Sequence, residues 1–330
     1  MTPERPVAAF FDSAADAWIL SRYAEVLAAF RDPRLWTING SGADQMEVRD
    51  DSGKLSARAE MLEALALPKV QSWQKDFEQV VATQLAALPR DRDVDLLREL
   101  ALPCCLELAI RLTGADPADT EMLGDLGSAA FGGTGAAPDS QAKIEAVEAT
   151  AVLTRYYEGS AFRMGEPTFV GTSQTMARLL ASGWVAMLSH PAECQRLRDN
   201  EALIPSAVEE LLRYAGIVPT LYRRAQADVE IGGAAIAQGQ RVHLRIASAN
   251  RDPEQFPDPD RLDVGRRAVS HLALGIGRNS CVGNLVIRMA SAVMTAALVR
   301  TFPAAKITGT VEWRTSPSFQ WPDAIPVRLC

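Results

Sequence analysis

A single cysteine in a glycine-rich segment near the C-terminal end could present its sulfur to a metal ion. The segment Leu274 to Gly283 reads LGIGRNSCVG and runs into the apolar, helix-patterned stretch Asn284 to Phe302. Gly275 and Gly277 permit backbone turns with positive φ, so a loop is predicted that places Cys281 just before a helix. Such a sulfur faces the unpaired N–H groups of the first helical turn, which lower the thiol pKa and stabilise the thiolate that binds metals. Taken alone, Cys281 could equally be a buried packing residue, the usual role of a free cysteine.

Three further charged motifs precede this loop. Glu210-Leu-Leu-Arg213 lies in a predicted helix, where a spacing of three residues puts the carboxylate and the guanidinium on one face. By itself such a pair is usually a weak surface contact. It is followed by Asn250-Arg-Asp-Pro253 and by Pro259-Asp-Arg261. The succession E-x-x-R, N-R-D-P, P-D-R and G-x-G-x-N-x-C-x-G resembles that of the cytochromes P-450, the haem-thiolate monooxygenases.

The resemblance implies a haem b cofactor (iron protoporphyrin IX) with Cys281 as the axial ligand of the haem iron. Arg223 corresponds to the family's strand arginine that binds a haem propionate, a role that suits a planar, permanently charged guanidinium. Lys54 and Arg58 resemble the family's other basic propionate contact, spaced i and i+4 at a helix start. Asn279 stands two residues before the cysteine, where the family usually has His or Arg. It can donate a hydrogen bond but brings no charge.

The same resemblance groups Glu210, Arg213 and Arg261 into a buried charge network. A buried carboxylate between two guanidiniums is tolerated only when every charge is paired and hydrogen-bonded. The network is therefore expected to act as a rigid clamp beneath the cofactor loop. Removal of any one partner is expected to prevent haem incorporation.

On the other face of the haem, the resemblance points to a long predicted helix from 169 to 189. Residues Gly171 to Thr175 match the family's oxygen-binding pattern, with the Thr175 hydroxyl as the group that hydrogen-bonds oxygen and helps to deliver a proton. Gln174 stands where the family has an acid, and a carboxamide can orient water but cannot relay a proton as a carboxylic acid does. The alternative is that the Thr175 hydroxyl only bonds back to the preceding helical turn.

Helical periodicity punctuated by Gly, Pro and Asp dominates the 330 residues, and no segment marks a linker between domains. The resemblance implies a mainly α fold with small β-sheets (α+β), as one haem-thiolate cytochrome P-450 domain spanning residues 1–330. It also implies the soluble bacterial type with a shortened N-terminal lobe, because the first strand and helix, Trp18 to Phe30, come early in the chain. The lid region between 114 and 169 is short as well. A hairpin is predicted in which residues 228–233 pair with residues 240–244 through a turn at Gln238-Gly239.

Bulk properties exclude several classes of protein. The net charge of -7 argues against a nucleic-acid binder and against a polybasic membrane patch. The first residues lack a signal-peptide pattern and no long uncharged apolar run is present, so no membrane anchor is expected. The five cysteines are odd in number and two of them are adjacent in an apolar helical stretch, which disfavours a disulfide framework and indicates a cytoplasmic protein.

The function implied is that of a monooxygenase of secondary metabolism, which oxidises a small or carrier-tethered apolar organic substrate with O2. Electrons are expected from a separate ferredoxin or flavodoxin, because the sequence contains no flavin, dinucleotide or iron–sulfur motif. Residues 217–221 and 316–321 are apolar with aromatic content and are candidate pocket walls. Two alternatives remain open. One is a peroxide-driven or non-hydroxylating haem-thiolate enzyme, suggested by Gln174; the other is a catalytically silent haem-binding or carrier-docking module, suggested by the reduced lobe and lid.

Overall fold

The computed structural model describes residues 3–39, 46–47, 52–137, 139–159, 165–267, 270–277, 280–316 and 318–329, with the side chains of 39, 46–47 and 52–57 outside that description. The α-helices are Tyr23–Arg31 (α1), Ser52–Ala64 (α2), Leu67–Ala87 (α3), Leu102–Thr113 (α4), Thr120–Gly132 (α5), Gln141–Tyr157 (α6), Gly165–Val170 (α7), Ala177–Leu188 (α8), Pro191–Asp199 (α9), Ile204–Ala215 (α10), Ile246–Ala249 (α11) and Asn284–Thr301 (α12). None of the helices in this described part of the chain is long and apolar enough to span a lipid bilayer.

The strands are short and scattered along the chain. They are Phe10–Asp12 (β1), Ala17–Leu20 (β2), Leu35–Asn39 (β3), Met46–Glu47 (β4), Asp93–Asp95 (β5), Leu221–Ala225 (β6), Val229–Ile231 (β7), Ala234–Ile236 (β8), Arg241–Leu244 (β9), Lys306–Ile307 (β10), Trp313–Thr315 (β11), Gln320–Pro322 (β12) and Pro326–Arg328 (β13). The largest sheet has the order β1-β2-β9-β6-β3-β4, with β2 parallel to β9 and the other pairs antiparallel. One face of this sheet packs on α1 through buried residues such as Leu20, Val26 and Leu244. The predicted mainly α fold with small sheets is confirmed.

The predicted pairing of residues 228–233 with residues 240–244 is wrong. β7 pairs instead with β8, which follows it directly, in the register Val229 to Ile236. Gly232 and Gly233 have φ of 59° and 80°, and two consecutive residues with positive φ form the tight turn that joins adjacent antiparallel strands. β9 is thereby released to pair with β2 and β6 in the large sheet.

The long helix predicted from 169 to 189 is present as one continuous helical segment from Gly165 to Leu188. We call this segment the central helix. Its middle, Gly171–Met176, is a wider π-helical turn between α7 and α8, a feature that often occurs at functional positions. Trp184 is fully buried and its Nε1 donates to Thr295 Oγ1 at 3.3 Å, which fixes α8 against α12 in the main core.

The lid region between 114 and 169 contains α5 and α6, which pack against each other and against the central helix. A Cβ at Gly127 would lie 3.1 Å from Phe169 Cε1, so the glycine permits a closer approach of α5 to the central helix than a larger residue would. Phe131, near the end of α5, is buried between the central helix and β12. This close packing brings the end of α5 next to the candidate pocket walls.

Candidate active site

The glycine-rich loop holds Cys281 shortly before α12. Gly275 and Gly277 have φ of 66° and 72°, the left-handed conformation that their position in a tight loop requires. The Cys281 N–H donates to Leu274 O at 2.7 Å, and Asn284 Nδ2 donates to Cys281 O at 3.0 Å. The loop is therefore closed at the cysteine and tied to the first residue of the following helix.

Two guanidiniums and a backbone N–H surround the Cys281 thiol. Arg58 Nη2 donates to Ser280 O at 2.6 Å, which fastens α2 to the loop. Burial raises the pKa of the thiol, while the Gly283 N–H, Arg58 and Arg288 oppose that rise. The lowered pKa expected from the helix start is wrong for the free thiol, because burial outweighs the stabilising groups. These groups remain in place to stabilise a thiolate once a metal ion replaces the proton.

The predicted charge network is present with one partner exchanged. Glu210 and Arg213 form a fully buried pair, with Nε–Oε2 at 2.7 Å and Nη2–Oε1 at 2.8 Å. The second guanidinium on Glu210 is that of Arg266, whose Nε lies 3.1 Å from both carboxylate oxygens. The prediction of Arg261 is wrong, because its side chain is exposed and its backbone carbonyl, not its guanidinium, reaches the cluster, accepting from Arg213 Nη2 at 3.3 Å. The Asp263 N–H adds a further contact to Glu210 at 3.0 Å.

The neighbouring carboxylate in α10, Glu209, lies near one residue before the cysteine loop and one residue after it. Arg288 of α12 donates to it at 2.7 and 3.0 Å, and His271 Nε2 lies 3.2 Å from Glu209 Oε2. Burial acts to raise the pKa of Glu209, but the contacts from His271 and Arg288 outweigh it and lower the pKa to about 2. Asn250 Oδ1 accepts from the Leu272 N–H at 2.8 Å. The loop is thus attached to the body of the protein on both sides of the cysteine.

Arg223, the predicted propionate contact, is buried beside the loop. It is 2% exposed, its Nη1 donates to a neighbouring backbone carbonyl at 2.8 Å, and its guanidinium carbon lies 5.6 Å from the centre of the Phe30 ring. A Cβ at Gly277 would lie 3.8 Å from Phe30 O, so Phe30 connects Arg223 to the loop. Lys54 belongs to α2 but its side chain lies outside the described residues, as does Asn279 entirely.

The two central-helix candidates differ in environment. Gln174 is 2% exposed, and its Oε1 accepts from Arg178 Nη1 at 2.9 Å and from Ser128 Oγ at 3.5 Å. Its carboxamide is therefore engaged within the protein. Thr175 is partly exposed and its hydroxyl makes no hydrogen bond to a described residue. The residue that bonds back to the preceding turn is Ser173, whose Oγ donates to Phe169 O at 2.8 Å.

The two predicted pocket walls meet in one apolar cluster. Ile217 and Trp321, at 3% and 7% exposure, pack with Phe131 of α5, whose ring centre is 5.2 Å from that of Trp321. Val170 and Leu179 of the central helix pack against the same cluster. The aromatic residue of α5 was not predicted to belong here, although it directly precedes the Gly-Gly pair that ends that helix.

Sequence reasoning missed four titratable residues of the site. Arg266 and Glu209 had a signal in the sequence, since each lies within a few residues of a recognised motif residue. His271 stands ten residues before the cysteine, and Arg178 follows Gln174 by one helical turn, a spacing that predicts contact between the two side chains. The partners of Arg266, Glu209 and His271, by contrast, depend on contacts between distant segments.

Comparison with known proteins shows which family this chain resembles. The sequence profile of the family described as Cytochrome P450 matches residues 190–321. Cytochrome P450 107B1 of Saccharopolyspora erythraea is 25% identical over 95% of this chain and 89% of its own length. The 20-oxo-5-O-mycaminosyltylactone 23-monooxygenase of Streptomyces fradiae is 28% identical over 93% of this chain and 82% of its own. The crystal structure of the LnmA cytochrome P450 hydroxylase of Streptomyces atroolivaceus superimposes with a TM-score of 0.82 at 26% identity, covering 94% of this chain and 90% of the other.

The donor set beside the cysteine fits haem b. Haem would need a ligand for its iron and cationic partners for two propionates. The loop offers one sulfur donor, Arg58 bonds the loop at Ser280, and Arg223 is buried against Phe30. The apolar cluster of Ile217, Phe131 and Trp321 provides a wall of the kind that holds an organic substrate. The chain therefore belongs to the cytochrome P450 family, whose members are oxygen-incorporating oxidoreductases with haem b as cofactor.

Proposed function

We propose that this protein is a monooxygenase of secondary metabolism that oxidises an apolar organic substrate with O2, drawing electrons from a separate ferredoxin or flavodoxin. The proposal treats residues 1–330 as one haem-thiolate domain. The observation that carries it is the Cys281 loop. The helix after the loop is bound to Glu209 of α10 through Arg288, and the segment before it is bound at Leu272 to Asn250, whose carbonyl also accepts from Arg213 of the fully buried Glu210–Arg213 pair. Support for the metabolic role comes from relatives with biosynthetic names, among them the mycaminosyltylactone monooxygenase and the leinamycin-pathway hydroxylase.

In this proposal Cys281 would supply the thiolate that binds the haem iron. Arg223 and Arg58 would hold the two propionates, with Lys54 and Asn279 as additional donors. Haem bound through a thiolate supplies the activation of dioxygen and the oxidation of the substrate. Arg266 and Arg213 neutralise Glu210, which keeps the segment beneath the loop rigid.

The chain's own residues orient the substrate and control protons on the central-helix side. Ile217, Phe131 and Trp321 form an apolar surface that excludes water and holds the body of the substrate. The Thr175 hydroxyl, with no partner among the described residues, is available to donate a hydrogen bond and a proton into the pocket. Gln174 keeps the adjacent turn in position through its bond to Arg178.

The assignment of the sulfur is tested by replacing Cys281 with Ser and recording the carbon-monoxide difference spectrum of the reduced protein. The thiolate-type band should disappear, because an alcohol is a poor ligand for iron. Cys194→Ser is the matched control, since Cys194 is a buried cysteine that bonds Met187 O at 3.1 Å in another part of the core. A thiolate band that persists in Cys281→Ser, or that vanishes equally in Cys194→Ser, would contradict the assignment.

A second candidate is a peroxide-driven enzyme of the same family. It is favoured by the 173–175 turn, where Ser173, Gln174 and Thr175 include no carboxylic acid and Gln174 is held by Arg178. Peroxide brings its own protons, so a relay from an acid would be unnecessary. Turnover with added hydrogen peroxide and no reductase would support this candidate, whereas complete dependence on NAD(P)H, redox proteins and oxygen would exclude it.

A further inference from the structure

Arg178 places a guanidinium against the apolar cluster of the candidate pocket walls, with part of its hydrogen-bonding capacity unused. Its Nη1 donates to Gln174 O at 3.0 Å and to Gln174 Oε1 at 2.9 Å. Its Nε is buried and has no hydrogen-bond partner among the described residues. All hydrogen bonds of this side chain to described residues come from Nη1, so Nε and Nη2 have no hydrogen-bond partner in the described part of the chain.

The guanidinium lies against the apolar cluster that forms the pocket wall. Its carbon is 4.2 Å from the centre of the Phe131 ring, and that ring contacts Trp321 and Phe319 with centre distances of 5.2 and 6.1 Å. Ile217 and Leu179 belong to the same cluster. Arg178 is thus a cation at the border of a surface that otherwise suits an uncharged organic molecule.

No described carboxylate pairs with Arg178. The acidic residue that attracts it, Asp323, is already bound by Arg314, with Nε–Oδ1 at 2.9 Å, and lies 3.9 Å from Arg98 Nη2. Burial is the main influence on Arg178 and lowers its pKa to about 10, which leaves it positively charged at neutral pH. A buried cation without an anion is costly unless a ligand supplies the missing charge.

We propose that Arg178 binds the carboxylate of the substrate, so that the substrate class is an apolar monocarboxylic acid. The Nε and Nη2 hydrogens of a guanidinium point in parallel and match the two oxygens of one carboxylate. The apolar body of the acid would then lie along Phe131, Trp321 and Ile217. Its carboxylate would meet the Nε and Nη2 edge of Arg178, which a local movement of the packed side chain must first expose because Nε is buried. This proposal rests on the proposed function and specifies the substrate of the same pocket.

The test uses the haem-loaded full-length protein and matched pairs of ligands. Saturated fatty acids from octanoic to hexadecanoic acid and 4-alkylbenzoic acids are each compared with their methyl esters, which keep the apolar body and lose the charge. Binding is measured both by the spin-state shift of the haem band and by the increase in thermal unfolding temperature. At least one acid should bind roughly 10- to 100-fold more tightly than its ester, the range expected of charge-assisted hydrogen bonds.

Variants separate recognition of charge from folding. Arg178→Leu should abolish the preference for acid over ester and leave the ester's affinity within about twofold, while Arg178→Lys should retain part of the preference because it keeps the charge and loses the fork. Arg90→Leu is the matched control, since Arg90 also lies over a phenylalanine, 5.2 Å from the centre of the Phe302 ring, but is exposed away from the pocket. It should behave as the parent protein does.

The proposal is overturned if no acid binds better than its ester, including the case in which neither binds, or if Arg178→Leu weakens acid and ester equally. The carbon-monoxide spectrum of each variant distinguishes this failure from failure of the proposed function. A normal thiolate band without acid preference refutes the role of Arg178 alone, whereas absence of the band in the parent protein refutes the haem-thiolate assignment.

Discussion

Replacing Arg266 and Arg261 separately with Ala gives a direct test of the charge network, because only one of these two arginines reaches Glu210. Arg266 Nε lies 3.1 Å from both oxygens of that carboxylate, and its side chain is 12% exposed. Its Nη1 and Nη2 also donate to the carbonyls of Pro257 and Asp258 at 2.7 and 3.2 Å. The Arg261 side chain is exposed and makes no hydrogen bond to a described residue.

The expected losses of stability follow from what each variant leaves behind. In Arg266→Ala the buried carboxylate of Glu210 keeps the two bonds from Arg213 and the Asp263 N–H, but loses one charge-assisted partner. Loss of such a bond lowers the free energy of unfolding by about 2–3 kcal/mol. Arg213→Ala should cost about 3–5 kcal/mol, because it removes the closest partner of a fully buried charge. Arg261→Ala should change the free energy of unfolding by no more than about 0.5 kcal/mol.

The assay is urea unfolding of the haem-loaded variants, followed by far-ultraviolet circular dichroism and by the haem absorption band. Haem content after expression is a second readout, which should fall in Arg266→Ala and remain at the parental level in Arg261→Ala. Equal destabilisation by the two substitutions, or a larger loss in Arg261→Ala, would refute the assignment of the third partner. Unchanged stability in Arg266→Ala would refute the physical reasoning about the buried carboxylate.

Two further outcomes follow from the described contacts. Burial, with Arg245 and Arg241 nearby, lowers the pKa of His243 from 6.5 to about 4, so the folded protein keeps this imidazole neutral while the unfolded chain protonates. The free energy of unfolding should therefore fall by at most about 3 kcal/mol as the pH drops from 6.5 to 4, and a urea series across this range should show a weaker fall for His243→Leu than for the parent. Gln174→Glu should give Arg178 a carboxylate at the present 2.9 Å contact, so acid ligands should bind roughly tenfold more weakly and esters unchanged; an unaltered acid affinity in the optical titration would contradict this.

The cysteine loop and the Glu210–Arg213 pair could be predicted from the sequence because each depends on local spacing. Glycines at 275 and 277 are required by the left-handed turns, and a separation of three residues in a helix brings a carboxylate and a guanidinium together. The third partner could not be predicted in this way. The chain turns at Asp258, whose φ is 47°, and the path after that turn points the carbonyl of Arg261 at the cluster and its side chain outward.

Contacts between segments far apart in the chain could likewise not be predicted from the sequence. The pairing of β9 with β2 joins residues more than 220 positions apart, and no local pattern distinguishes it from a hairpin with β7. The position of Arg178 against Phe131 depends on how closely α5 approaches the central helix. Gly127 permits a close approach, but a glycine in the sequence does not by itself predict one. Periodicity predicts which face of a helix is buried and leaves open which partner covers it.

Adjacent carboxylates in α10 have a consequence for how the protein opens and closes as it fluctuates. Glu209 binds Arg288 just after the cysteine loop and lies 3.2 Å from His271 before it, and Glu210 binds the segment around Arg266 and Asp263. A single helical turn therefore contacts two segments that are separate in sequence. If either segment detaches, Glu209 or Glu210 loses a hydrogen-bonding partner, and the two carboxylates lie in the same helical turn. Amide hydrogens of the described residues 257–267, 270–277 and 280–288 should therefore exchange with solvent in one cooperative event, and escape of the prosthetic group should require that same event.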